Sequence, residues 1–200
     1  MIAIIDYDAG NLKSVEKALI YLGEETVITR DPKQILAADK VILPGVGSYS
    51  DAMRKLHHYH LVEVIKEVVS MKTPFLGICL GMQLLFERSD EGDEKGLALL
   101  KGEILRIPDC PGLKIPHMGW NSLSISEGAR LYKGIEEQAY VYFVHSYYLK
   151  ADNRKNVAAT THYSTLIDAS VESENIFGCQ FHPEKSGEIG LTILRNFAKL

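Results

Sequence analysis

The chain has 200 residues, 46% of them hydrophobic, and its net charge of −4 and isoelectric point near 6.0 show no basic excess. This balance argues against nucleic acid as a partner, because phosphate backbones are bound by clustered lysine and arginine. No apolar run approaches the roughly 18 residues that cross a bilayer, and no secretory signal is visible. We therefore expect a cytoplasmic chain that folds as one domain over residues 1–200, without membrane contact.

In the first part of the chain, apolar runs of strand length alternate with stretches of helical spacing. Strands that are apolar throughout, separated by helices, are typical of a parallel sheet covered on both faces. The pattern therefore predicts an open, mostly parallel, doubly wound α/β sheet. The predicted strands are residues 2–5, 26–29, 40–43 and 74–78, and the predicted helical stretches are residues 11–22, 32–37, 53–68 and 80–86.

From Gly96 the chain changes to short strand-like segments separated by turn residues, which predicts an antiparallel extension of the sheet. An acidic run, residues 90–94, precedes this region. We interpret it as an exposed loop, because charge runs normally lie in solvent. The predicted strands of this part are residues 102–107, 122–125, 140–144, 156–161 and 176–181, and a helix over residues 189–197 closes the chain.

Cys79 lies between a strand and a helix and is flanked by Gly77 and Gly81. This is the context of a nucleophile elbow with cysteine in place of serine. Glycines permit the sharp turn that exposes the nucleophile, and the start of the next helix would favour the thiolate. A buried core cysteine fits the segment alone equally well.

His182 and Glu184 follow the last predicted strand. The carboxyl ends of parallel strands meet at one edge of a sheet, so His182 is expected near Cys79, with Glu184 orienting the imidazole. An isolated His-Pro-Glu sequence is more often an ordinary turn. The two motifs together favour a Cys79–His182–Glu184 triad.

The segment Pro44-Gly45-Val46-Gly47 also follows a strand. Its glycines would let a backbone N–H, that of Gly47, face a reacting carbonyl oxygen, with Leu80 N–H as the second donor of an oxyanion hole. A simple turn is the alternative. The spacing lacks the third glycine of a dinucleotide site, and we expect no cofactor.

A histidine cluster, residues 57–60, falls at the end of a predicted helix. No carboxylates accompany it at ligand spacing, so we expect solvated histidines and no metal. The three cysteines, Cys79, Cys110 and Cys179, lack both the pairing of a disulfide framework and the spacing of a zinc site. A lone nucleophilic thiol therefore remains the hypothesis for the cysteines.

Two distant motifs, residues 77–83 (GICLGMQ) and 180–184 (QFHPE), resemble those of the triad-type, class I glutamine amidotransferases and occur in the same order. Four further motifs are similar to those of the glutaminase subunits of imidazole glycerol phosphate synthases. One departure is Asp8, where such subunits more often have glycine. The four motifs are residues 43–47 (LPGVG), 116–121 (PHMGWN), 142–147 (YFVHSY) and 182–186 (HPEKS).

The resemblance implies that the chain hydrolyses glutamine and passes the ammonia, under allosteric control, to a (β/α)₈ cyclase subunit. The products would be imidazole glycerol phosphate, for histidine biosynthesis, and an aminoimidazole carboxamide ribonucleotide. It also implies that Gln83, Ser146 and Tyr147 hold the glutamine. The residues placed at the partner interface are Asn11, Trp120, Tyr142 and Lys185.

Three other interpretations of the sequence stay open. The chain could serve another acceptor enzyme, such as an anthranilate or aminodeoxychorismate synthase, although the motif at residues 116–121 argues against this. It could be a cysteine-elbow hydrolase or chaperone-like protein that acts alone, without need of Gln83. It could be an inactive binding module, against which the presence of all three triad residues speaks.

Overall fold

The computed structural model describes all 200 residues. Six helices are present: α1 (Leu12–Tyr21), α2 (Pro32–Leu36), α3 (Tyr49–His58), α4 (Leu61–Ser70), α5 (Leu80–Gln83) and α6 (Gly187–Ala198). None of them could span a membrane. The strands are β1 (Ile2–Ile5), β2 (Thr26–Thr29), β3 (Lys40–Gly45), β4 (Phe75–Cys79), β5 (Arg88–Ser89), β6 (Gly102–Arg106), β7 (His117–Ser122), β8 (Ser124–Ile125), β9 (Tyr140–His145), β10 (Tyr147–Ala151), β11 (Val157–Tyr163), β12 (Thr165–Ser173) and β13 (Ile176–Cys179).

An eight-stranded sheet forms the centre of the fold, in the order β2-β1-β3-β4-β13-β12-β11-β8. The first five strands in this order pair in parallel, and β12, β11 and β8 continue the sheet antiparallel. Two smaller sheets, β10-β6-β5 and β7-β9, lie outside it. The predicted fold class, a mostly parallel α/β sheet with an antiparallel extension, is confirmed.

The central strands β1, β4 and β13 are buried at every residue, because helices cover both faces of the sheet. One apolar cluster holds the buried faces of α3 and α4, and a second holds those of α1 and α6. In α4 the buried residues Leu61, Val64, Ile65 and Val68 recur at helical spacing. The strand ends are thereby fixed relative to one another.

Two predicted helices differ in the structure. The stretch predicted at residues 53–68 is two helices, α3 and α4, which are separated where His60 adopts a left-handed backbone, φ 55°. The helix predicted at residues 80–86 ends at Gln83. The carbonyls of Leu84 and Leu85 accept hydrogen bonds from the backbone of residues 97–100, which replaces helical pairing there.

The second half contains strands that the sequence pattern did not reveal, above all β10 and β12. The strand predicted at residues 122–125 is divided between Ser122, the last residue of β7, and the two residues of β8. The break falls at buried Leu123, whose N–H donates to the Ala139 carbonyl. β10 pairs with β6, which is distant in sequence, so local periodicity does not report it. β12 pairs antiparallel with its sequence neighbours β11 and β13, but the buried polar residues Asp168 and Ser170 interrupt its apolar run.

Candidate active site

Cys79 is the last residue of β4 and has a left-handed backbone, with φ 54°. Such a conformation strains a residue other than glycine and persists only where the surroundings impose it. The flanking glycines explain how the chain accommodates it. A Cβ on Gly81 would lie 1.8 Å from the Leu43 carbonyl oxygen, and one on Gly77 would lie 2.6 Å from the Gly81 oxygen. The segment has the geometry of a nucleophile elbow.

The helix after Cys79 is shorter than predicted, with only four residues. Its macrodipole is correspondingly small, since the effect sums over aligned peptide units. That the start of this helix favours the Cys79 thiolate stays a prediction.

His182 and Glu184 are paired beside this elbow. Glu184 Oε1 lies 2.9 Å from His182 Nδ1, and the two side chains are 2% and 1% exposed. A carboxylate can only accept, so Nδ1 carries a proton and Nε2 is the nitrogen left to exchange a proton with the nucleophile. Nε2 is buried and makes no hydrogen bond.

Two opposing influences set the basicity of His182. Burial alone would lower its pKa, but the Cys79 sulfur and the Glu184 carboxylate outweigh burial and raise the pKa to about 10. The arrangement stabilises an imidazolium, as an acid–base partner of a thiol requires.

A cavity of about 370 Å³ opens at this edge of the sheet. Its volume is in the range of small-molecule sites. The structure brings every residue predicted for the triad chemistry, the oxyanion hole and the substrate to this place, apart from Glu184, which lies behind His182. The predicted residues that line the cavity are Gly47, Cys79, Leu80, Gln83, Ser146, Tyr147 and His182.

The site also contains two residues that the sequence analysis missed. Glu91 lines the cavity and accepts a hydrogen bond of 2.8 Å from Tyr49 N, so the acidic run is not wholly an exposed loop. Gln180 is fully buried, with Nε2 3.6 Å from Cys79 Sγ. Its place beside His182 in the same motif was the only signal available in the sequence.

The comparisons with known proteins agree with this geometry. The class-I glutamine amidotransferase family matches residues 3–200. The chain is a class-I glutamine amidotransferase. Two relatives are named "Imidazole glycerol phosphate synthase subunit HisH": one from Thermosynechococcus vestitus, 49% identical over 100% of the chain and 96% of its own length, and one from Caldanaerobacter subterraneus subsp. tengcongensis, 51% identical over 100% and 98%.

Solved structures share the fold of this amidotransferase at low sequence identity. A structure described as a glutamine amidotransferase superposes with a TM-score of 0.77 at 17% identity, over 100% of this chain and 98% of the other. PurLQS from Thermotoga maritima gives a TM-score of 0.75 at 22% identity, over 99% and 97%. At these identities the likeness supports the fold alone.

The predicted interface residues of the amidotransferase lie around one surface. Trp120 on β7 pairs with Tyr142 on β9, and their rings meet edge to face with centroids 6.0 Å apart. Trp120 is 56% exposed, which excludes the core role that a single tryptophan usually has. Lys185 is exposed on the turn after His182, and Asn11 precedes α1, which packs against that turn.

The remaining residues that the sequence analysis singled out lie away from the cavity. Within the histidine cluster, His57, His58 and His60 are exposed at the junction of α3 and α4. Cys110 is half-buried in a loop, and burial raises the pKa of the Cys179 thiol well above its usual range. Neither cysteine faces the cavity.

Proposed function

We propose that this amidotransferase hydrolyses glutamine through a Cys79 thioester and supplies ammonia to a (β/α)₈ cyclase subunit, with which it forms imidazole glycerol phosphate synthase. The observation that carries the proposal is the cavity, where a strained cysteine meets a buried His–Glu pair. The identity of about 50% to HisH subunits over the full chain supports the acceptor.

In the proposed mechanism His182 takes the proton of Cys79, and the thiolate attacks the side-chain amide carbon of glutamine. The backbone N–H groups of Gly47 and Leu80 stabilise the oxyanion of the tetrahedral intermediate. His182 then returns its proton to the leaving ammonia, and water hydrolyses the γ-glutamyl thioester to glutamate. Glu184 holds the imidazole in the required tautomer and stabilises its cation.

We assign the glutamine head group to the wall of the cavity formed by Gln83, Glu91, Ser146 and Tyr147. Gln83 donates both amide hydrogens to protein acceptors, which leaves its Oε1 for the substrate. The Glu91 carboxylate is the acidic group on the lining and suits the α-ammonium of glutamine. The backbone of Ser146 and Tyr147 completes this wall.

We place the cyclase subunit on the surface around Trp120, Tyr142, Lys185 and Asn11. A large exposed aromatic side chain such as that of Trp120 is typical of an interface anchor. This surface adjoins the turn that carries His182, because Tyr142 O accepts from His182 N at 2.9 Å and Tyr142 N donates to Ser186 Oγ at 3.0 Å. Ammonia released at Cys79 would thus arise close to the partner. The reduced thiol that this chemistry needs fits the cytoplasm.

The proposal is tested by mixing the chain with a purified (β/α)₈ cyclase subunit, glutamine and the nucleotide substrate of the cyclase, and following glutamate and imidazole glycerol phosphate together. We expect a stable complex that forms both products in equal amounts from glutamine. The synthase subunit of an anthranilate synthase is the matched control partner. Ammonia delivery to that subunit, with none to the cyclase, would contradict the proposed acceptor.

A further inference from the structure

The backbone carbonyl of Tyr147, in the wall of the cavity, accepts hydrogen bonds from two side chains. Gln83 Nε2 lies 3.0 Å from this oxygen, and His145 Nδ1 lies 2.8 Å from it. A carbonyl can only accept, so both side chains must present an N–H to it. This single acceptor therefore fixes the orientation of the Gln83 amide and the tautomer of His145.

One arm of hydrogen bonds runs from Tyr147 to the nucleophile. The second N–H of Gln83 faces Gln180 Oε1 at 2.9 Å, so the Gln180 amide must turn its Nε2 toward Cys79 Sγ, 3.6 Å away. Gln83 is 4% exposed and Gln180 fully buried. The other contact of the sulfur, the Val144 carbonyl at 3.9 Å, can only accept from a thiol. Gln180 is thus a side-chain donor that remains favourable once the proton has left.

A second arm runs from Tyr147 to β7. Burial lowers the pKa of His145 to about 3 and that of His117 to about 4, so both rings are neutral near pH 7. With its Nδ1 donating to Tyr147, neutral His145 must accept at Nε2, and His117 Nδ1 lies 3.0 Å from that atom. His117 Nε2 then accepts from Asn121 Nδ2 at 3.4 Å.

We propose that Gln180 is a further catalytic residue, whose side-chain N–H stabilises the Cys79 thiolate, and that Gln83 keeps this N–H aimed at the sulfur. Gln83 is anchored on the Tyr147 carbonyl, which the Asn121–His117–His145 arm also binds. The inference rests on the proposed role of Cys79 as the nucleophile. A glutamine that merely filled the core could present either end of its amide to Cys79. Here the hydrogen-bond sequence allows only the donor end.

The first test is Gln180→Met, which keeps the volume of the side chain and removes the donor. Loss of a hydrogen bond to a charged acceptor should move the pH midpoint of Cys79 alkylation by iodoacetamide upward by about one unit. In the complex kcat should fall about tenfold, with KM for glutamine within about twofold. A Cys110→Ser background removes the competing half-exposed thiol. An unchanged midpoint would overturn the proposal.

The matched control is Ser170→Ala. Ser170 is as buried as Gln180 and donates to the Gly178 carbonyl at 2.7 Å, on the strand that precedes Gln180, without touching Cys79. It should lower the melting temperature while the alkylation midpoint stays that of the parent chain. A midpoint shift equal to that of Gln180→Met would show a general loss of packing and refute the donor role.

A second measurement needs no substitution of Gln180. Ring ¹⁵N NMR of the full chain at pH 7 should show His145 and His117 as neutral Nδ1–H tautomers. An Nε2–H tautomer at His145 would contradict the hydrogen-bond sequence. These outcomes can be told apart from a failure of the proposed function. If the wild-type complex hydrolyses glutamine but Gln180→Met leaves the alkylation midpoint unshifted, only the role of Gln180 is refuted. If Gln180→Met shifts the alkylation midpoint but the wild-type complex does not hydrolyse glutamine, only the glutaminase assignment is refuted.

Discussion

Exchanging Glu184 for glutamine removes the charge that stabilises the His182 imidazolium and keeps the shape of the side chain. The two side chains are 2.9 Å apart and almost fully buried, so solvent hardly screens the interaction. A hydrogen bond to a charged group is worth about 1.5–3 kcal/mol, which corresponds to about 1–2 pKa units. The pKa of His182, raised to about 10, should therefore fall by that amount in Glu184→Gln.

The assay is glutamate release by the complex as kcat/KM between pH 6 and about 11. His182 must be protonated to return a proton to the leaving ammonia, so activity declines as the pH rises through its pKa. In Glu184→Gln this decline should begin about 1–2 units lower than in the wild type. Glu188→Gln, an exposed glutamate on α6, is the control and should leave the profile unchanged. If the activity of Glu184→Gln declined at the same high pH as that of the wild type, the role of Glu184 would be refuted.

Three further outcomes are expected. Trp120→Ala should weaken binding of the cyclase roughly thirtyfold, measured by calorimetry. The control is Met71→Ala, at an exposed residue on the other end of the sheet, and it should leave the affinity unchanged. If Trp120→Ala bound the cyclase as tightly as the wild type, Trp120 would not be part of the interface. Asp168→Ala should lower the free energy of unfolding by about 2–3 kcal/mol, because Arg154 and Ala151 N lose a buried acceptor. An unchanged denaturant unfolding curve would contradict this. Glutamate release should rise from the isolated chain to the complex, and again with the nucleotide ligand of the cyclase; equal rates would show an oxyanion hole formed without the partner.

The parallel core was predictable because strands covered on both faces must be apolar throughout, as β1, β4 and β13 are. The end of α5 at Gln83 was not predictable, because it depends on backbone hydrogen bonds donated by residues 97–100. The β12 strand was missed because buried Asp168 and Ser170 interrupt its apolar run, whereas β10 depends on β6, a partner far away in sequence. Local periodicity carries no information on such pairing.

The same distinction holds for the site. Cys79 and His182 follow strands, and the geometry of parallel sheets alone predicts that they meet at one edge. Glu91 was missed because a run of acidic residues is normally exposed to solvent. In the structure the Glu91 carboxylate accepts a hydrogen bond from Tyr49 N. The orientation of the Gln180 amide depends, through Gln83, on the carbonyl of Tyr147 on another strand. No sequence pattern predicts such an orientation.

The central claim is that this chain supplies ammonia from glutamine through Cys79. The most direct test is the Cys79→Ala complex with the cyclase, assayed for imidazole glycerol phosphate with glutamine and, separately, with ammonium salt. We predict no product from glutamine and wild-type rates from ammonium, because only the ammonia source is lost. Glutamine-dependent synthesis or substantial glutamate release by Cys79→Ala would contradict the account.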